Sequence, residues 1–236
     1  MRVLVIGGNR FMGRGLVWRL LCGGHRVTVV NRGNLPDPFG DRIERLRADR
    51  STDAFDRAIG RRTFDAAVDF AGFTADDTAR AVRVLSGRVG HYVFISTGQV
   101  YLVREGCPQP SREDDYAGPV MAAPPSPADR EDWAYGIGKR GAEDVLAAAS
   151  GLPSTRLRLP MVNGEHDPRR RIEGYVRRIL DRGPLIVPRA DAIARHVHSG
   201  AVIRAIASIL EEPPPLGLVY NLAQPEQLTV RALLER

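Results

Sequence analysis

The chain has 236 residues and a mass of 25.9 kDa, room for one large α/β domain or one domain with a small appended lobe. Apolar residues make up 43% and charged residues 26%, which excludes disorder as the main state, and no apolar run nears the roughly 18 residues of a membrane span. The net charge of +6 comes from basic residues that are all arginine except Lys139, scattered in small clusters such as Arg61-Arg62, Arg169-Arg170-Arg171 and Arg177-Arg178, and reads as a solvated surface with some attraction for anions.

The opening MRVLVIGG enters a strand directly, with no signal peptide ahead of it, which predicts a cytoplasmic protein. Arg2–Ile6 is the first expected strand, and a glycine-rich turn leads into a helix over Phe11–Cys22 that ends at Gly23-Gly24. Arg26–Val30 and Ile43–Leu46 read as strands, Ser51–Ile59 as a helix, Ala66–Phe70 as a strand, Ala75–Leu85 as a helix and His91–Ser96 as a strand. Strands alternating with helices at this spacing imply right-handed βαβ units and a parallel sheet covered on both faces. Residues 104–131 contain six prolines and Glu113-Asp114-Asp115, and read as a long irregular insertion. A helix over Asp132–Ala149 and a strand at Thr155–Leu159 follow. Beyond them lie a basic helix near Arg170–Asp181, a strand near Ala194–His198, a helix near Ala201–Leu210, a strand at Leu218–Leu222 and a helix opening at Thr229. The stop at Arg236, barely two turns into that last helix, predicts a truncated or reduced C-terminus.

Two cysteines, Cys22 and Cys107, cannot build a disulfide framework or a four-cysteine metal site, so both are expected to be free thiols. His196 and His198 share one strand face without an acidic or cysteine partner at ligand spacing, and no metal is expected.

The turn Gly7-Gly8-Asn9-Arg10-Phe11-Met12-Gly13 carries the first chemistry. Gly7 suits the sharp bend and Gly13 the close helix–strand packing of a dinucleotide turn, while the middle position falls on Arg10. A strand before and a helix after point to phosphate binding at the helix start, with Asn9, Arg10, Phe11 and Met12 in the contact segment. At the end of the second strand stands Asn31, followed by Arg32, where a carboxylate would face a ribose 2′-hydroxyl. Without that negative charge, and with Arg32 (joined by Arg10) as a partner, a 2′-phosphate is attracted. NADP(H) is therefore favoured, with NAD(H) as the alternative.

Tyr135 and Lys139 form Y-x-x-x-K on one face of the expected helix. An ammonium beside a phenol lowers its pKa and suits it to proton exchange at a substrate oxygen. Lys139 is the sole lysine in a chain that otherwise uses arginine, which sharpens a short motif. The fifth strand runs into Ser96-Thr97-Gly98-Gln99-Val100-Tyr101, where Thr97 is the better and Ser96 the second candidate to polarise a substrate oxygen.

Together these residues resemble the extended branch of the short-chain dehydrogenase/reductase superfamily, the NAD-dependent epimerases and dehydratases. The resemblance implies a Rossmann-type doubly wound sheet over 1–160 and a small substrate lobe over 161–236, interleaved with the last sheet elements. It implies Thr97 as the catalytic hydroxyl, Tyr135 as general acid/base, and Lys139 as its partner and nicotinamide-ribose ligand. It also implies Asp49 near adenine, Phe70, Ala71 and Gly72 along the cofactor, and a substrate side beginning at Leu159–Val162 and Asn163. Two features depart from the pattern. The turn with Arg10 is similar to an atypical subgroup that includes chloroplast stem-loop RNA-binding proteins. Gly98 and Gln99 replace the acidic pair of sugar 4,6-dehydratases, which disfavours elimination. The expected activity is an NAD(P)-dependent oxidoreductase or epimerase acting on a sugar-like or other hydroxy/keto small molecule. The alternatives are a cofactor-binding but inactive protein, or an RNA-binding regulator. Intact Thr97, Tyr135 and Lys139 argue against nucleic acid as the partner, and relatives with this fold often form homodimers.

Overall fold

The computed structural model describes residues 1–187 and 189–236. Among the described residues nine strands and eight α-helices follow in chain order: β1 Arg2–Ile6, α1 Phe11–Cys22, β2 Arg26–Asn31, β3 Glu44–Arg47, α2 Asp53–Ile59, β4 Phe64–Asp69, α3 Ala75–Leu85, β5 Val89–Thr97 and α4 Gln99–Leu102. Then come α5 Pro127–Ala148, β6 Ser154–Leu159, β7 Met161–Asn163, α6 Arg171–Leu180, β8 His196–His198, α7 Ser199–Glu211, β9 Val219–Asn221 and α8 Val230–Leu234.

Seven strands form one parallel sheet in the order β3-β2-β1-β4-β5-β6-β9. Side chains alternate across β1, and that alternation divides the core. Val3 and Val5 pack with Leu16, Val17 and Leu20 of α1 and Val202, Ile206 and Leu210 of α7. Leu4 and Ile6 pack on the opposite face with Phe55 and Ile59 of α2, Val84 and Leu85 of α3 and Leu146 of α5. The chain leaves β1 toward β2 on one side and returns at β4 on the other. A crevice opens beyond the carboxyl ends of β1 and β4, the place where open sheets of this kind bind ligands.

Two local details differ from expectation. Helix α5 starts at Pro127, five residues before Asp132, because proline at the first helical position sacrifices no hydrogen bond. Segment 104–131 is tied down: an Arg104–Val120 bridge closes it, Glu113 Oε1 accepts the Asn221 N–H at 2.6 Å, and the Tyr116 hydroxyl donates to Asp144 at 2.7 Å. Past residue 160 the elements divide between two sheets. Strands β7 and β8 make a separate two-stranded sheet, whereas α7 lies against α1 and β9 extends the main sheet beside β6.

Candidate active site

The turn between β1 and α1 is built as tightly as the spacing requires. Gly7 has φ +87°, and a Cβ on Gly13 would stand 2.9 Å from the Gly7 carbonyl oxygen and 3.1 Å from the Gly8 Cα. Side chains at these positions would push the turn off the helix. Arg10 sits in extended conformation just before α1, and that helix has no acidic residue in its first turn, so its N-terminus presents uncompensated positive character. A cleft of about 420 Å³ runs from this turn along the sheet edge, lined among others by Gly7, Asn9, Arg10, Asn31, Arg32, Asp49 and Ala71. The structure thus brings together seven of the residues expected at a cofactor. Phe11 lies on a neighbouring cavity of about 520 Å³ between the turn and residues 164–173, which Asn9 and Arg10 also line. The side chains of Met12 and Phe70 pack against the core and line neither cavity. Gly72 serves close approach: a Cβ there would meet the Phe94 ring at 2.7 Å.

Asn31 ties the turn to the second strand. Its Nδ2 donates to Asn9 Oδ1 at 3.0 Å, and its Oδ1 accepts from Arg47 Nη1 at 2.6 Å and from the Gly33 N–H at 2.8 Å. Arg47 is paired with Asn31 in the β2–β3 register, the sequence signal that would have found it. Asp49 accepts from the Ser51 N–H and hydroxyl, which hold its carboxyl below the usual range with a smaller contribution from Arg32.

At the end of β5 the two hydroxyl candidates separate. Thr97 Oγ1 accepts from the Gln99 N–H at 3.2 Å at the strand's open end. Ser96, one residue earlier, points through the sheet. It is buried and donates to Glu143, which also receives Arg158 through both Nε and Nη2. Strand alternation therefore makes Ser96 part of a buried ion-pair cluster. Glu143 lies one helical turn beyond Lys139, a spacing that places both on one face of α5.

Three glycines bring α5 close to its neighbours. Cβ atoms on Gly136, Gly138 and Gly141 would stand 2.7 Å from Val103, 2.5 Å from the Phe73 carbonyl oxygen and 3.2 Å from Ala75. Tyr135 and Lys139 consequently project from α5 toward the turn after β4. Burial raises the Tyr135 phenol above its ordinary pKa, opposed by the Thr97 side chain and by the charges of Arg169 and Arg171. Lys139 is 2% exposed; burial brings it down to about 8, with Asp69 the largest opposing charge. The expected electrostatics are thus altered in this structure. The ammonium is engaged by the Ile95 carbonyl at 2.7 Å and by the Phe73 and Phe94 rings, and the cations acting on the phenol are arginines.

Sequence reasoning missed Phe73, whose ring lies 6.4 Å from that of Tyr135 and which also lines the cofactor-sized cleft. No sequence pattern marks it. It also missed Arg50 and Asp69 beneath the same turn. Arg50 Nη1 contacts both Asp69 oxygens at 2.7 and 2.6 Å, and Asp69 Oδ1 accepts the Ala71 N–H at 2.8 Å, so the pair shapes the 70–73 turn. A carboxylate closing the apolar run of β4 was the available signal. His196 and His198 share a face of β8 as expected, and among the described residues no group of three or more His, Cys, Asp or Glu is placed to hold a metal. No helix among them is long and apolar enough to cross a membrane.

A profile of the NAD dependent epimerase/dehydratase family matches residues 78–223. The chain is 26% identical over its whole length to 2'-dehydrokanamycin reductase of Streptomyces kanamyceticus and spans 65% of that protein. It is 28% identical over 115 residues to chloroplast stem-loop binding protein of 41 kDa b of Arabidopsis thaliana, which covers 43% of this chain and 30% of that one. Among solved structures, the Bordetella bronchiseptica enzyme WbmG in complex with NAD superposes with a TM-score of 0.81 at 18% identity, over 100% of this chain and 76% of that one. UDP-glucose 4-epimerase of Thermotoga maritima with UDP-glucose superposes with 0.77 at 21% identity, over 100% and 81%. These likenesses establish the Rossmann-type fold.

Proposed function

The chain belongs to the NAD dependent epimerase/dehydratase family, and on that premise we propose that it is an NADP(H)-using oxidoreductase or epimerase of a sugar-like or other hydroxy/keto small molecule. One observation carries the reading: the cleft lined by the glycine turn reaches Phe73, whose ring lies 6.4 Å from that of Tyr135 and 5.1 Å from the Lys139 ammonium, and the Thr97 side chain acts on the Tyr135 phenol. The residues present fit a dinucleotide. The turn has the bend and the helix contact that a pyrophosphate needs, and Gly7, Ala71 and Asp49 line one continuous wall. Arg10 and Arg32 on that cleft, with a neutral amide at Asn31, support NADP(H) over NAD(H).

A nicotinamide dinucleotide held by Gly7, Arg10, Arg32 and Asp49 would supply or accept a hydride at the substrate carbon. Tyr135 gives or takes the proton at the substrate oxygen, and Thr97 donates a hydrogen bond that orients this oxygen. Lys139 is fixed on the Ile95 carbonyl one helical turn from Tyr135, and the charges of Arg169 and Arg171 favour the ionised phenol. A net reductase and an epimerase use the same residues. The likeness to a protein described as a reductase favours the first, and Gly98 and Gln99 leave a dehydratase without its acid and base.

The test is a thermal-shift comparison of NADP(H) and NAD(H), followed by absorbance assays of NADPH consumption with sugar ketones and simple ketones. Stabilisation by NADPH and turnover of a carbonyl substrate are expected. No stabilisation by any nicotinamide nucleotide overturns the reading.

A further inference from the structure

Lys139 is a buried ammonium without a carboxylate partner. Among the described residues no ion pair reaches it, and the charged groups around it are occupied elsewhere. Asp69 of β4 is held by Arg50 and by the Tyr92 hydroxyl. Asp77 of α3 accepts the Phe73 and Thr74 N–H groups, and Arg50 lies beside it. Glu143, on the same helix as Lys139, is held by Arg158 and Ser96. The Lys139 ammonium donates to the Ile95 carbonyl oxygen at 2.7 Å and lies 4.7 Å from the Phe94 ring centroid and 5.1 Å from that of Phe73.

One hydrogen bond compensates poorly for removing an ammonium from water. The faces of aromatic rings carry negative potential and attract a cation within about 6 Å, more strongly where water is excluded. The two rings come from different places and are fixed differently. Phe94 is fully buried in β5. Phe73 stands on the turn after β4, its N–H tied to Asp77 at 2.9 Å and its carbonyl in the gap left by Gly138. The residue is 49% exposed, and it lines the cleft while its ring lies 6.4 Å from that of Tyr135.

We propose that Phe73 and Phe94 form a two-ring box that holds the Lys139 ammonium charged and in place, making Phe73 a positioning residue for the Tyr135–Lys139 pair. The box does not need the proposed reaction in order to exist; only the use made of Lys139 rests on that reading.

The composition of the chain supplies the experiment. Lys139 is the sole lysine, so the full-length chain labelled with 13C,15N-lysine gives one side-chain ammonium signal to follow from pH 6 to 11. The wild-type midpoint is expected well below that of a free lysine. Phe73→Leu keeps the apolar cover but removes the π face, so the charged form loses support and the midpoint falls by about 0.5–1.5 units. Phe73→Tyr restores the wild-type midpoint, and Phe94→Leu reproduces the fall from the other side. An unchanged midpoint in Phe73→Leu, a rise toward the free-lysine value, or no restoration by tyrosine overturns the proposal. The readout needs no substrate. A shifted midpoint in a protein without turnover would refute the catalytic reading and leave the box standing; turnover without the shift would do the reverse.

Discussion

The carbonyl oxygen of Phe73 occupies the space where a side chain on Gly138 would begin, 2.5 Å from that missing Cβ. Helix α5 and the turn after β4 therefore touch backbone to backbone, and this contact sets the height of Tyr135 and Lys139 above the crevice. Gly138→Ala raises helix propensity but must part the two elements. A net loss of about 1–3 kcal/mol, the cost of overpacking, is expected in urea denaturation, with a larger proportional loss of turnover than of stability. A variant as stable and as active as the wild type would show that the close approach is dispensable.

Tyr135→Phe removes a single hydroxyl from a ring that is 40% exposed, so folding and cofactor affinity should change little. Turnover should fall by about 100-fold or more, the range for loss of a general acid or base. Parallel measurement of NADPH binding by calorimetry and of its oxidation rate separates the two effects. Retained activity would assign proton transfer to another group.

Arg32→Ala should weaken NADP(H) by about 10- to 100-fold, as a charge-assisted hydrogen bond predicts, and leave NAD(H) nearly unchanged. The comparison is made by titrating both nucleotides into the same variant. Equal losses would remove the 2′-phosphate from the cleft beside Asn31.

Asp69 adds an acid-dependent element to stability. Its burial alone would raise its pKa, yet Arg50, the Tyr92 hydroxyl and the Ala71 N–H outweigh that effect and hold it below the ordinary carboxylate value. The unfolded chain thus binds a proton at this residue more readily than the native one. The stabilisation is complete above about pH 4 and is lost as pH falls through the lower native value. Asp69→Asn should abolish this share of the acid dependence and leave Arg50 with only the longer ion-pair contact to Asp77 at 3.6 Å, at a cost of about 3 kcal/mol at neutral pH. Urea denaturation of both proteins at pH 7 and under acid conditions measures the two effects.

Much of the architecture was legible from local pattern. The alternation of apolar strands and periodic helices predicted the parallel sheet. Gly7 and Gly13 marked the tight turn between β1 and α1, because a bend with positive φ and a helix packed on a strand both demand the missing side chain. The spacing of Tyr135 and Lys139 placed both on one face of α5, since four residues make about one helical turn.

Tertiary structure decided what those residues meet. A strand's alternation turned Ser96 toward Glu143 and left Thr97 at the open end, although the two are neighbours in sequence. The Arg50–Asp69 contact, the two rings around Lys139, and the arginines acting on Tyr135 all join segments far apart along the chain. Helix and strand periodicity follow from short-range backbone geometry, so the sequence carries them openly. Desolvation and charge pairing depend on which distant segments pack together, and that information appears only once the sheet has closed on its helices.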